Sequence, residues 1–189
     1  MNIHQVSVSY QPDQDRILVR INTQTGEALQ LWLTRRLIVN LLPGLNQAVT
    51  GVVSNSLQLA SQDEQDKQML MEFKKQESVS QADFKTPFKP EAASFPVGQV
   101  PLLVTHMQMS PMGTDALMFK FEEKLSDQST PRGLQITLAP QMLLSFIHLL
   151  ETAVKASEWG ILPELRQQNS TNESALEAFN PSDSPRYLN

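Results

Sequence analysis

The chain has no cysteine among its 189 residues. That absence excludes thiol nucleophiles, thiolate metal ligands and disulfide staples together. A chain of this length buries enough apolar surface to fold without them, so neither a disulfide nor a structural metal is required. Glycine is sparse, seven in all, and none stands in a phosphate-cradling cluster: no Walker, dinucleotide-binding, nucleophile-elbow or zincin pattern occurs. Long apolar runs are missing too, with nothing approaching the roughly 18 consecutive residues of a membrane helix. The opening "MNIHQVSVSYQPDQD" has neither a basic nor an apolar leader segment, and a cytoplasmic protein with no membrane partner is expected. Net charge is -5 and the pI is near 5.2. This balance disfavours broad attraction to nucleic acid or anionic lipid but leaves room for a local basic patch.

What the chain does have is alternation. In "HQVSVSY", Val6, Val8 and Tyr10 share one parity and Gln5, Ser7 and Ser9 the other, the period of a half-buried strand. After the breaker "QPDQD", Ile17, Val19 and Ile21 alternate with Arg16, Leu18 and Arg20, and "NTQTG" follows as a turn cluster, which predicts a hairpin. Leu29, Leu31 and Leu33 alternate with Gln30, Trp32 and Thr34 in a third strand, after which the period lengthens to about 3.6. Thr34 suits an N-cap. The apolar stripe of Leu37, Ile38, Leu41, Leu42, Leu45, Ala48, Val49 and Val52 defines a helix that Pro43 should kink or divide.

The same order returns from Leu102: "LLVTHMQM", then "ALMFKF" with Leu117, Phe119 and Phe121 on one parity, then "GLQITL" with Leu134, Ile136 and Leu138. Pro140 stands at a helix start, and Met142, Leu143, Phe146, Ile147, Leu150, Ala153 and Val154 form the buried stripe. His4 aligns with His106, Ile17 with Leu117 and Leu33 with Leu138, the offset changing only where turns differ in length, as a structural duplication requires. The expected fold is α+β: two pseudo-symmetric β-β-β-α units, over residues 1–60 and 100–160, sharing one core. Antiparallel sheets would carry two long helices packed together on their inner faces. The plain alternative is chance similarity between two generic strand-hairpin-helix segments. Residues 61–99 hold a polar helix with a short Met69, Leu70, Phe73 stripe and then a crossover, in which Pro87, Pro90 and Pro96 interleave with Phe84, Phe88 and Phe95. Those phenylalanines are expected to pin the crossover to its own domain, with docking on a partner as the alternative. Residues 161–189 read as a disordered tail. The sequons at Asn169 and Asn172 carry little weight without a secretory leader.

Catalysis requires convergent groups, and the inventory is thin. His4 and His106 hold matched places in the two series, but two histidines make an incomplete metal site, and His148 reads as a partly buried helix residue. Glu122 and Glu123 fall on opposite faces of one strand, so they cannot act as a close acid/base pair, and a solvated strand end is expected. No catalytic residue, metal ligand or cofactor site is assigned, and the chain reads as non-enzymatic.

Attention therefore moves to the outer sheet faces. Leu18, Trp32 and Met118 are the residues expected to contact a protein partner or a second copy of the chain, with Arg16 and Arg20 giving direction. If "NTQTG" closes its hairpin symmetrically, Arg16 faces Trp32 and Leu18 faces Gln30. The alternative partner is a single-stranded nucleic acid held by Arg16, Arg20, Trp32, Arg35 and Arg36 through stacking and phosphate neutralisation. A cross-strand cation–π pair that merely covers the sheet is the structural explanation for the same residues, and in the second series Ala116 and Thr137 stand where Arg16 and Trp32 do.

The paired sheet-then-helix order resembles Whirly-type single-stranded-DNA-binding proteins, in topology alone. That resemblance implies duplicated units packed helix against helix. This chain departs from it in counting three strands per unit rather than four and in lacking a basic charge, so no binding residue is carried over. The "WLTRR" run is similar to bacterial proteins of unassigned function.

Overall fold

The computed structural model describes residues 3–56, 64–81, 88, 94–113, 115–126 and 130–161, without the side chains of 53–56, 64–68, 71 and 79. The alternating segments become strands β1 (Ile3–Gln11), β2 (Arg16–Thr23) and β3 (Ala28–Thr34), and helix α1 spans Arg35–Ser56. Then come α2 (Glu64–Gln81), a two-residue β4 (Leu102–Leu103), strands β5 (His106–Met112), β6 (Ala116–Glu123) and β7 (Arg132–Leu138), and α3 (Pro140–Ala156). The protein is α+β, with one sheet ordered β1-β2-β3-β4 and another ordered β5-β6-β7. All pairings are antiparallel except β3 with β4. The described residues up to Trp159 form one compact unit. The expectations for most of the proline and phenylalanine crossover and for the tail fall outside the described residues.

Period-two patterning fixes the inner faces. Ile17, Val19, Ile21, Leu29, Leu31 and Leu33 are each at most 1% exposed, and Leu117, Phe119, Phe121, Ile136 and Leu138 are buried in the other sheet. Helix α1 contributes Ile38, Leu41, Leu42, Leu45, Val49 and Val52 to this interior, and α3 contributes Leu143, Leu144, Phe146, Ile147, Leu150, Ala153 and Val154. Thr34 caps α1 as expected, its Oγ1 accepting from the Leu37 amide at 3.3 Å. Pro140 opens α3 at its first turn. Pro43 does not divide α1, which continues to Ser56 with the proline ring in solvent. The helices form a set of three: α2 lies antiparallel along α3, where Lys75 meets Glu151 at 2.5 Å and Gln141 donates to Gln81 at 3.3 Å.

Three local expectations are corrected. First, Arg16 pairs with Thr34, Leu18 with Trp32 and Arg20 with Gln30, a register two residues from the symmetric closure. Gly26 adopts φ 80° and closes a loop in which the Thr23 amide donates to the Glu27 carbonyl at 3.0 Å, so Glu27 belongs to the ladder and "NTQTG" is not all turn. Second, "LLVTHMQM" is not one strand. Leu102 and Leu103 extend the first sheet, the Val104 amide donates to the Trp32 carbonyl at 3.1 Å, and the next amide, Thr105, donates to the Glu122 carbonyl at 3.0 Å. The chain steps from one sheet to the other between adjacent residues.

Third, Glu123 is not at a solvated strand end. It is 4% exposed, and Arg132 donates to its Oε2 through Nε at 2.6 Å and through Nη2, while the Leu103 amide donates to Oε1 at 3.2 Å. Arg132 Nη1 also donates to the Val97 carbonyl at 3.2 Å. One buried carboxylate thus joins β6, β7 and β4 and anchors the end of the crossover. A residue larger than Gly133 would not fit beside this pair, because a Cβ there would lie 2.8 Å from the Phe121 carbonyl oxygen.

Candidate functional site

The outer face of the first sheet is built in rows across its strands. Gln11, Arg16 and Thr34 form one row, Ser9, Leu18, Trp32 and Leu103 the next, and Ser7, Arg20 and Gln30 the third; Gln5, Asn22 and Ala28 follow. Two residues along a strand advance about 6.8 Å, so Arg16 and Arg20 bracket the Leu18 and Trp32 row from either side. No aspartate or glutamate occupies these rows, although the whole chain carries 20 acidic residues against 15 lysines and arginines. Arg16, Arg20 and Trp32 are half-buried, and neither arginine has an ionic partner among the described residues. No cation–π contact joins either arginine to Trp32 among the described residues.

Leu18 is corrected from exposed contact residue to interior: it is 5% exposed. Its position explains this, with an indole opposite, Ser9 on the other side and long arginine stems two residues away in each direction. The accessible groups on this face are therefore two guanidinium heads, one indole, and the hydroxyls and amides of Ser7, Ser9, Gln11, Gln30 and Thr34. Within that set Gln11 Nε2 donates to Ser9 Oγ at 2.9 Å.

The remaining candidates lie elsewhere. Met118 is half-buried on the outer face of the second sheet between Ser110 and Thr137. Along its own strand follow Lys120 and Glu122, and Glu122 pairs with Lys120 at 2.8 Å and with Lys124 at 2.9 Å. These two hydrogen-bonding ammonium groups hold the Glu122 carboxyl well below its ordinary 4.5, at about 2. That face neutralises itself, in contrast to the first. Glu122 and Glu123 do point to opposite sides, one to the lysines and one to Arg132. His4 lies exposed where β1 slips register, and His106, exposed on β5, has Nδ1 3.1 Å from Thr105 Oγ1. Among the described residues no group of three or more His, Asp and Glu side chains could hold a metal. No helix of the described residues is long and apolar enough to cross a membrane.

Arg36 is exposed on the first turn of α1. Arg35 has a structural engagement the sequence did not suggest: its Nη2 donates to the Trp159 carbonyl at 2.9 Å. The Trp159 indole Nε1 donates to Asp15 Oδ1 at 2.7 Å, the Tyr10 hydroxyl donates to the same oxygen at 2.9 Å, and the two aromatic rings meet edge-to-face with centroids 5.7 Å apart. Asp15 takes up this position with φ 48°, ψ 46° after the 3-10 turn Pro12–Gln14, and Glu158, beside Trp159, also has positive φ, 56°. The indole and phenol donors hold the Asp15 carboxyl below its ordinary 3.8, and the same bond raises Tyr10 above its ordinary 10.0. Together the four side chains latch the end of α3 to the β1–β2 turn. The only hint in the sequence was the breaker "QPDQD"; Trp159 had no periodic partner to point at. The chain matches no protein-family model, and neither curated proteins nor solved structures give a match.

Proposed function

We propose that the protein binds its partner without transforming it, and that the partner is a single-stranded nucleic acid lying on the outer face of the first sheet. The observation that carries this reading is charge segregation: an acidic chain keeps one sheet face free of carboxylates and sets two unpaired arginines around a half-buried tryptophan there. An indole gives an unstacked base a platform, guanidinium groups neutralise flanking phosphates, and side-chain amides and hydroxyls supply adaptable hydrogen bonds. Arg36 extends the basic surface, while Arg35 is withdrawn from it by Trp159. The same reading takes the two β-β-β-α series as one duplicated unit, supported by the matching register of Ile17 with Leu33 and Leu117 with Leu138. Only the first copy carries the binding residues.

Anisotropy of labelled single-stranded DNA and RNA, titrated with the protein at low and moderate salt, tests the assignment. Two phosphate contacts predict a slope of log K against log salt near -1.4, about -0.7 per phosphate on a single strand. Replacing Arg16 and Arg20 by alanine should flatten that slope, and Trp32→Ala should weaken binding by about 1–3 kcal/mol while leaving the slope unchanged. Absence of binding at low salt would reject the nucleic-acid reading. The second reading, a protein partner, is favoured by Met69 and Phe73, which project from one side of α2 at 73% and 61% exposure. Retention of a protein partner that is lost with a Met69→Ser, Phe73→Ser variant would support it.

A further inference from the structure

We infer that the free edge of β7 is a self-association surface, filled by β7 of a second copy in antiparallel pairing. β7 bonds to β6 on one side, and among the described residues no strand pairs with the other. In an antiparallel sheet every second residue turns its N–H and C=O away from the partner strand, so this edge presents backbone groups in search of partners.

The other sheet edges are each defended. β1 slips register between Ile3 and Gln5, an irregularity that interrupts its edge, and touches α3. β4 ends after two residues and follows Pro101, and β5 carries Pro111 within the strand. β7 shows none of these devices: it has no proline or lysine, its register with β6 is unbroken over seven residues, and its one charge, Arg132, is committed to Glu123. The first sheet offers a direct contrast. There β3 precedes α1 as β7 precedes α3, and its edge is covered by Leu102 and Leu103 and by the Ser94 carbonyl, which accepts from the Ala28 amide at 2.9 Å.

A second copy suits this edge because the strand is complementary to itself. A two-fold axis through Gln135 sets Gln135 opposite Gln135, Gly133 opposite Thr137, Leu134 opposite Ile136 and Arg132 opposite Leu138. No like charges meet, the buried Leu134 and Ile136 continue as one apolar row, and exposed Gly133, Gln135 and Thr137 leave the outer side open.

Sedimentation of the full chain over a concentration series tests this, with Gln135→Lys and Gln135→Glu variants and Gln24→Lys as an equal charge change on a distant turn. Gln135 is exposed, so the fold should survive, which circular dichroism checks. The expected result is a dimer whose dissociation constant rises about fivefold in either Gln135 variant, not in Gln24→Lys, and returns to the parent value when the two Gln135 variants are mixed. A monomer at every concentration overturns the proposal, as does a dimer indifferent to both Gln135 changes.

Discussion

The chain has two tryptophans, and the structure places them in different surroundings that one substitution pair separates. Trp159 is 6% exposed, packs against Tyr10, donates its indole proton to Asp15 and has its carbonyl held by Arg35. Its side chain removes about 150–250 Å² from water, worth about 4–6 kcal/mol at 25 cal/mol per Å² as an upper bound. Allowing for a partly collapsed unfolded chain brings this to about 3–5 kcal/mol, the usual cost of truncating a buried tryptophan to alanine. Trp159→Ala should therefore lose about 4 kcal/mol, a fall in Tm of about 8–16 °C for a unit of this size. Trp32 is only half-buried, and its indole has no hydrogen bond among the described residues. Trp32→Ala should lose about 1 kcal/mol and leave Tm within a few degrees. Urea titrations of both variants measure the difference. A loss below about 2 kcal/mol for Trp159→Ala, or an equal loss for Trp32→Ala, would refute this division between a tryptophan that holds the fold and one that the fold can spare.

Two further outcomes follow from the polar contacts. In a Trp32→Phe background Trp159 is the sole indole fluorophore, and its emission should report the latch as pH is varied. Folding prefers the Asp15 carboxylate, so its contribution is complete above pH 3.8 and is lost as pH falls through the depressed folded value; Glu122 behaves likewise between pH 4.5 and about 2. Tyr10 works in the opposite sense: the fold prefers the neutral phenol, whose contribution is complete below pH 10.0 and is lost as pH rises through the raised value. Emission unchanged through both ranges would show that the latch does not govern Trp159. For the Glu123–Arg132 pair, in which the carboxylate is buried and the guanidinium about a third exposed, Glu123→Gln should cost about 1–2 kcal/mol by leaving Arg132 beside a weaker acceptor. Glu123→Leu with Arg132→Met should cost less than Glu123→Leu alone, measured by denaturant titration, and an additive loss would contradict the coupling.

What could be read from the sequence, and what could not, divides along the range of the interactions. Parity along a strand is local, since successive side chains alternate faces whatever lies opposite, and so the inner rows around Ile17, Leu31, Phe119 and Ile136 were legible. Caps are local too, which is why Thr34 and Pro140 open their helices where the sequence placed them. Register depends on the loop's backbone conformation. A single residue in the left-handed region, Gly26, moved Trp32 from facing Arg16 to facing Leu18. Burial on an outer face depends on neighbours in other strands, so Leu18 disappeared under the side chains expected to stand beside it. The least legible contacts were the long-range polar ones: Glu123 serves three segments and Asp15 receives a proton donor from the far end of the compact unit, with no periodicity linking them.

Polar contacts also decide which cations of the described residues stay unpaired. Arg35 is committed to the Trp159 carbonyl, Arg132 to Glu123, Lys75 to Glu151, and Lys120 and Lys124 to Glu122. A cation already paired with a carboxylate gains little from a second anion, because the new contact must replace an existing one and its desolvation has to be repaid again. Lys74 pairs with Glu77 as well. With all of these set aside, among the cations whose side chains are described Arg16, Arg20, Arg36 and Lys155 remain without an ionic partner, and of these only Arg16 and Arg20 share a strand and a face, on either side of Trp32. Ion pairing among the described residues and the register of β2 with β3 therefore set apart the surface that the proposed binding would use.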